Sequence, residues 1–341
     1  MNVIRLFNQA ITLRFTNAAV ISTLLLFTVL LLVLIYSLFS GSYTLSIQDI
    51  LDSLWHQSTT DEQASLIIWE FRLPRSLVAM GSGALFALSG AILQNMTRNP
   101  LADPSLVGIS HGAALAVVTL TVLFPAYIDA WREIAAFIGA LFIAMVIQYL
   151  RGNGHPLKFI LLGIGVVAFI SAIISTLITY GDFQSAMSAL AWLSGSTHAT
   201  SWKDVILLMS TLTIFSVLSI YQSKNMAAIR LGDDVAIGLG VSIHKAMKLQ
   251  LFISVASAAT ATAVVGPVGF VGLLAPHLAR KILHTSTTNH LVLTALVGAI
   301  LVLAADIIGR TAFAPTQLAA GLVTSLIGAP LFAYLLIKKS S

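Results

Sequence analysis

Long stretches without a formal charge constrain this chain more than any motif does. Asp, Glu, Lys and Arg are missing from 15–48, 76–97, 104–128, 134–150, 159–181, 183–202, 205–223, 249–279, 282–305 and 311–337. A helix crosses the hydrocarbon layer with about 20 mostly apolar residues, and a charge at its centre costs roughly 2.5–3.5 kcal/mol. The chain is 57% apolar and 9% charged over 341 residues, with mean hydropathy +0.94. A water-soluble domain carries about a quarter charged residues, so a soluble enzyme is excluded. The same hydropathy excludes disorder.

Two runs need separate treatment. The stretch 183–202 is rich in Ser and Thr and contains His198, so it reads as a loop or short surface helix. The stretch 249–279 is too long for one crossing and is broken by Gly266-Pro267, where proline removes a helical hydrogen bond. The result is an all-α membrane protein, a single domain over 1–341. Its ten expected spans fall at about 17–39, 76–95, 104–124, 134–150, 158–180, 203–221, 245–265, 267–283, 290–309 and 318–337. With the N-terminus inside, 13 Lys and Arg fall at cytoplasmic ends; the other 5 of the 18 (Arg72, Arg75, Arg132, Lys203 and Arg310) fall outside. That bias predicts both termini in the cytoplasm. The apolar core after Arg14 is too long for a signal peptide and is read as a retained first span. In the longest outer loop, apolar residues at 47, 50, 51, 54 and 55 predict a short amphipathic helix on the membrane surface.

Catalytic chemistry is missing. No G-x-x-x-x-G-K-[ST] loop, H-E-x-x-H or G-x-S-x-G occurs, the chain has no cysteine, and the spacing of its eight histidines offers no metal site. Ion-coupled carriers place ionisable groups inside their spans. Here the best candidate is Asp306, near the outer end of the ninth span, with Arg310 four residues on as a local ion-pair partner. Transport energy is therefore expected from another subunit, and an autonomous ion-coupled carrier is the alternative of another class. Gly83, Ala87 and Ala91 form a stripe of small residues on the second span, for close helix packing or a glycine-lined passage.

Both faces offer docking features. On the cytoplasmic side, Arg98-Asn99-Pro100-Leu101-Ala102-Asp103-Pro104 is a tight turn in which Asp103 is expected to cap the third span with Pro104 at its first position. The longest inner loop, 224–245, contains Leu231-Gly232-Asp233-Asp234 and Gly238-Leu239-Gly240. These read as a short helix with acids in its first turn, suited to a cytoplasmic partner. On the outside, Arg72, Arg75 and Arg310 defy the positive-inside bias. They serve either headgroup anchoring and pairing with Glu70 or Asp306, or a docking surface for an acidic soluble partner.

In order and spacing, these segments resemble the iron-siderophore permease family of bacterial binding-protein-dependent importers. The resemblance rests on Arg72-Leu73-Pro74-Arg75, Gly90-Ala91-Ile92-Leu93-Gln94, the Arg98–Pro104 turn and Leu106-Val107-Gly108-Ile109. It continues through Trp192-Leu193-Ser194-Gly195-Ser196, Leu231-Gly232-Asp233-Asp234, Gly269-Phe270-Val271-Gly272 with Ala275-Pro276-His277, and Gly328-Ala329-Pro330. It implies ten spans, with spans 2–5 and 7–10 related as an inverted-topology repeat. It also implies two permease subunits, identical or paralogous, forming a path at their interface in the bacterial cytoplasmic membrane. Two ATP-binding-cassette ATPase subunits would hold ATP and magnesium, this chain binding no cofactor, and a periplasmic or lipid-anchored binding protein would deliver the iron complex. By motif, Arg72, Arg75 and Arg310 would pair with acids on the binding protein, and Asn99 and Leu101 would help close a cytoplasmic gate. Leu231, Gly232, Asp233, Asp234, Gly238, Leu239 and Gly240 would seat in the ATPase. The implied substrate is a ferric siderophore, with heme or cobalamin as the runner-up. No gate residue is carried over for Gly152-Asn153-Gly154-His155-Pro156, and no nucleic-acid partner is implied.

Overall fold

Every stretch read as a span forms a helix, but not every one of those helices is long enough to cross a bilayer. The computed structural model describes residues 2–6, 11–41, 43, 45–55, 62–105, 108–151, 156–198, 200–313 and 316–340. Residues 152–155, and the 106–107 part of a family motif, lie outside the described residues.

A two-stranded antiparallel hairpin, β1 (Asn2–Leu6) with β2 (Ile11–Phe15), precedes the first helix, an element the span reading did not include. Helix α1 (Asn17–Phe39) starts where the Thr16 side chain accepts the Ala19 N–H. Then come α2 (Ile47–Trp55), helical where the sequence predicts a short amphipathic helix, and α3 (Glu62–Leu66). Residues Ile67–Arg72 form a π-helical turn leading into α4 (Leu73–Thr97). Pro74 has no N–H to continue the regular ladder, and the widened turn absorbs that mismatch. The remaining helices are α5 (Ile109–Leu123), α6 (Ile128–Arg151), α7 (Pro156–Tyr180), α8 (Phe183–Leu193), α9 (Trp202–Arg230) and α10 (Asp233–Gly238). They are followed by α11 (Ile243–Val265), α12 (Val271–Ile282), α13 (Thr287–Thr311) and α14 (Ala320–Ser340).

Among the described residues, seven helices are long and apolar enough to span a bilayer. Helix α5 and the apolar part of α14 are shorter. Within the expected eighth span, 267–283, the helix is confined to α12. Helix α12 has 12 residues, about 18 Å at 1.5 Å each, against a hydrocarbon layer of about 30 Å. Its N-terminal part is replaced by non-helical backbone through Gly266 (φ 76°), Pro267 and Phe270 (φ 67°). Helix α5 likewise starts at Ile109, behind Gly108 at φ 85°, rather than at 104. Such backbone survives at membrane depth only where protein buries it. Helix α9 also runs to Arg230, so 224–230 is helix rather than loop.

Helices α4, α11 and α13 form the interior, buried over 89%, 78% and 61% of their apolar windows, while α1, α7 and α9 are buried over 17%. Composition explains the division. The inner helices carry Gly, Ala, Ser and Thr that let backbones approach; the peripheral ones present Leu, Ile and Phe outward, as lipid-facing helices do. At the α4–α11 crossing, Ser89 Oγ donates to the Ser254 carbonyl (2.7 Å) and Ser254 Oγ to that of Ser89 (3.0 Å). Helix α4 packs along α13 as α11 packs along α6, and α5 lies on α6 as α12 lies on α13. Exchanging spans 2–5 for 7–10 maps these pairs onto one another, the pattern of an internal repeat.

Candidate functional site

At the end that charge bias places outside, the three arginines are turned inward. Arg72, Arg75 and Arg310 are 5%, 9% and 5% exposed, and Asp306 is 1% exposed. The Arg75 guanidinium grips Asp306 with Nε at 2.9 Å from Oδ1 and Nη2 at 2.8 Å from the same oxygen. Its Nη1 donates to Gln317 Oε1 at 2.8 Å and lies 3.2 Å from His198 Nδ1. Arg310 Nε stands 3.6 Å from Asp306 Oδ2, and its Nη2 donates to the Ser37 carbonyl at 2.8 Å. Arg72 donates to the carbonyls of Leu38 and Tyr43. The Thr197 hydroxyl donates to Asp306. In the single chain, therefore, the pairing of these arginines is internal. The expected Asp306–Arg310 pair exists, but Arg75, 231 positions away in sequence, holds Asp306 more closely.

Of the three, Arg75 lines a cavity of about 540 Å³ with Ser194, Ser196, His198, Gln317 and Leu322. Residues His198, Gln317, Thr197 and Ser37 were not singled out by sequence. The one available signal was the polar character of the 183–202 stretch.

At the opposite end, Asn99 Oδ1 accepts the Leu101 N–H at 2.9 Å, closing the turn, and Leu101 is exposed. Asp103 does not cap α5, which begins six residues later; its Oδ1 accepts the Ser105 N–H at 2.8 Å. The buried Asp103 carboxyl abuts Gly272 and faces the Leu273 N–H in the first turn of α12. Burial pushes this carboxyl above its ordinary value, more than the hydrogen bonds from Ser105 and Leu273 pull it down.

Arg98, at φ 51° on the end of α4, ties that turn to α10. Its Nη2 donates to the Ile229 carbonyl at 2.8 Å and pairs with Asp233. Helix α10 is bracketed by Gly232 (φ 121°) and Gly240 (φ 78°), conformations that side-chain-bearing residues rarely adopt. Its Ala236 is buried with Ala228, Ile229 and Ala246, whereas Leu231, Val235, Ile237 and Leu239 are exposed together with Asp234 and Gly238. Such an apolar surface at a polar end is suited to a protein partner.

The small-residue stripe is a packing seam. A Cβ on Gly83 would strike the Gly298 carbonyl of α13, and one on Gly298 would strike Ala87. Ala91 packs with Leu88, Ile92, Met226 and Leu291 and borders a second cavity at the Arg98 end.

The sequence pattern of the FecCD transport family matches residues 29–338. The chain is 38% identical over 281 residues to the probable siderophore transport system permease protein YfhA of Bacillus subtilis (strain 168), covering 80% of this chain and 82% of that one. It is 36% identical over 312 residues to the achromobactin transport system permease protein CbrC of Dickeya dadantii (strain 3937), covering 91% and 89%. It is also 36% identical over 333 residues to the hemin transport system permease protein HmuU of Yersinia pestis, covering 95% and 98%. A solved chain of a metal-chelate type ABC transporter in an inward-facing conformation superposes with a TM-score of 0.81 at 27% identity, covering 93% of this chain and 98% of that one.

Proposed function

Because the chain belongs to the FecCD transport family, we propose that it is the transmembrane permease subunit of an ATP-binding-cassette importer that carries a ferric siderophore across the bacterial cytoplasmic membrane, both termini inside. The observation that carries this reading is α10. The short helix and the turns that flank it present Val235 and Ile237, with Leu231 before it and Leu239 after it, to the surface of a multi-pass chain that has no phosphate-cradling loop of its own. Two separate ATPase subunits, holding ATP and magnesium, would seat on it.

Arg98 supplies the mechanical link. Motion of α10 is passed through Arg98 to the 98–105 turn, which carries Asn99 and Leu101, the residues assigned to the cytoplasmic gate. Nucleotide binding to the ATPases then biases inward and outward states of a path formed with a second permease subunit. At the other end, a binding protein would dock over the cavity bordered by Arg75. A carboxylate from that protein would compete with Asp306 for Arg75, and Arg72 and Arg310 would hold the surrounding backbone in place. Hemin is the second substrate reading, favoured by the relative from Yersinia pestis.

The test is uptake of radioactive ferric siderophores, hemin and cobalamin by cells with and without the gene. Loss of ferric siderophore uptake alone is expected. Loss of hemin or cobalamin uptake alone moves the substrate assignment, and unchanged uptake of all of them overturns the reading.

A further inference from the structure

The cavity at the Arg98 end is built for an anion, and we propose that it binds a phosphate group. It measures about 380 Å³ and is lined by Gln94, Arg98, Arg230, Arg280, Thr287 and His290 among others, with no carboxylate among the described residues of its wall. Three guanidiniums reach it from three separate elements: the end of α4, the last residue of α9 and the last turn of α12. Arg98 is neutralised by Asp233. Among the described residues, neither Arg230 nor Arg280 has an ion-pair partner, and the two repel each other. Arg280 donates to Gln94 Oε1, which holds it in the wall.

Two further features point the same way. Helix α13 begins at the cavity wall with Thr287, its Asn289 N–H capped by Ser286, so the positive end of its dipole lies beside the arginines' space. His290, 9% exposed and one turn into that helix, has an Nδ1 with no hydrogen-bond partner among the described residues; the same holds for Asn95 Nδ2 beside it. Uncompensated guanidiniums, a helix N-terminus and buried unsatisfied nitrogens are together satisfied by a compact, doubly charged oxyanion, and arginine forks match phosphate geometry. The phosphate has two sources, an anionic phospholipid headgroup in the cytoplasmic leaflet or a soluble phosphate compound. This inference stands on charge and cavity geometry and is independent of the importer reading.

The experiment uses the purified full chain in detergent, with Arg230→Gln, Arg280→Gln and, as a control at the opposite end, Arg132→Gln. Native mass spectrometry reads phosphatidylglycerol retained after delipidation. Thermal stability is titrated with inorganic phosphate and with ATP against chloride at equal ionic strength. Phosphatidylglycerol retained by the wild type and control, and weakened about tenfold in the two cavity variants, supports the proposal with a lipid source. No retained lipid, but stabilisation by phosphate or ATP whose half-saturating concentration rises about tenfold in the cavity variants, supports it with a soluble source. Arg230 is solvent-exposed, so its variant reports even if Arg280→Gln does not fold. Absence of both effects, or equal effects in all variants, overturns the proposal. So does loss of ATPase binding in the cavity variants without any phosphate effect, which would assign the arginines to acidic side chains of the ATPase.

Discussion

Replacing Asp306 by Asn isolates the charge at the centre of the Arg75 network while keeping an acceptor for Thr197. Asp306 is one buried anion between two buried cations, at 2.8 Å from Arg75 and 3.6 Å from Arg310. With an effective dielectric near 20, the two attractions amount to about 6 and about 5 kcal/mol before desolvation. The substitution leaves both guanidiniums buried without a counter-charge, for which the net cost of a broken buried pair is about 3–5 kcal/mol. At about 2–4 °C per kcal/mol for chains somewhat shorter than this one, the apparent Tm in detergent should fall by roughly 5–15 °C. The assay is residual monodisperse protein by size exclusion after heating. Arg310→Met, which removes the surplus positive charge, should cost less than Asp306→Asn. A fall below about 2 °C for Asp306→Asn, or the reverse order of the two variants, would refute the reasoning.

Gly83→Leu should push α4 off α13, because backbone rather than a yielding side chain stands in the way; overpacking of this kind costs about 1–3 kcal/mol or more, and a thermal stability equal to the wild type would contradict it. Val235→Asp with Ile237→Asp should abolish ATPase co-purification while shifting the chain's own stability by no more than about 0.5 kcal/mol, since both side chains are exposed. Retained ATPase would remove α10 from the coupling role. The raised Asp103 carboxyl predicts a pH dependence. Its contribution is fully present below the ordinary value of 3.8 and is lost as pH rises through the higher folded value. Thermal stability of the wild type relative to Asp103→Asn should therefore decline as pH rises above the ordinary value of 3.8; a flat difference would mean that burial does not raise this carboxyl.

The positions of the helices were legible because bilayer solvation is a one-dimensional property of the chain: an apolar, charge-free run must satisfy its backbone hydrogen bonds within itself, which favours helix except where protein buries a break. Hydropathy reports only that a segment is apolar. It could not reveal that the run across Gly266-Pro267 gives up helix for non-helical backbone before α12, nor that α5 starts only after Gly108. The Arg98 turn and α10 were legible as local motifs, since glycine placement and helix-end acids act over a few residues. The partners of Arg75 and Arg98 were not. Asp306 and Ile229 lie 231 and 131 positions away, and only the folded packing of α4 against α13 and α9 brings them together. For the same reason, sequence did not show that within the single chain the outer arginines pair internally.

In the proposed importer this chain provides a path and another subunit provides the energy. Reconstitution into proteoliposomes with and without the ATPase subunits, the binding protein and ATP, followed by ferric siderophore uptake, tests it most directly. Uptake should require ATP and the ATPase together and should vanish when either is omitted. Uptake by the chain alone under a proton gradient, or nucleotide hydrolysis by the purified chain, would contradict it.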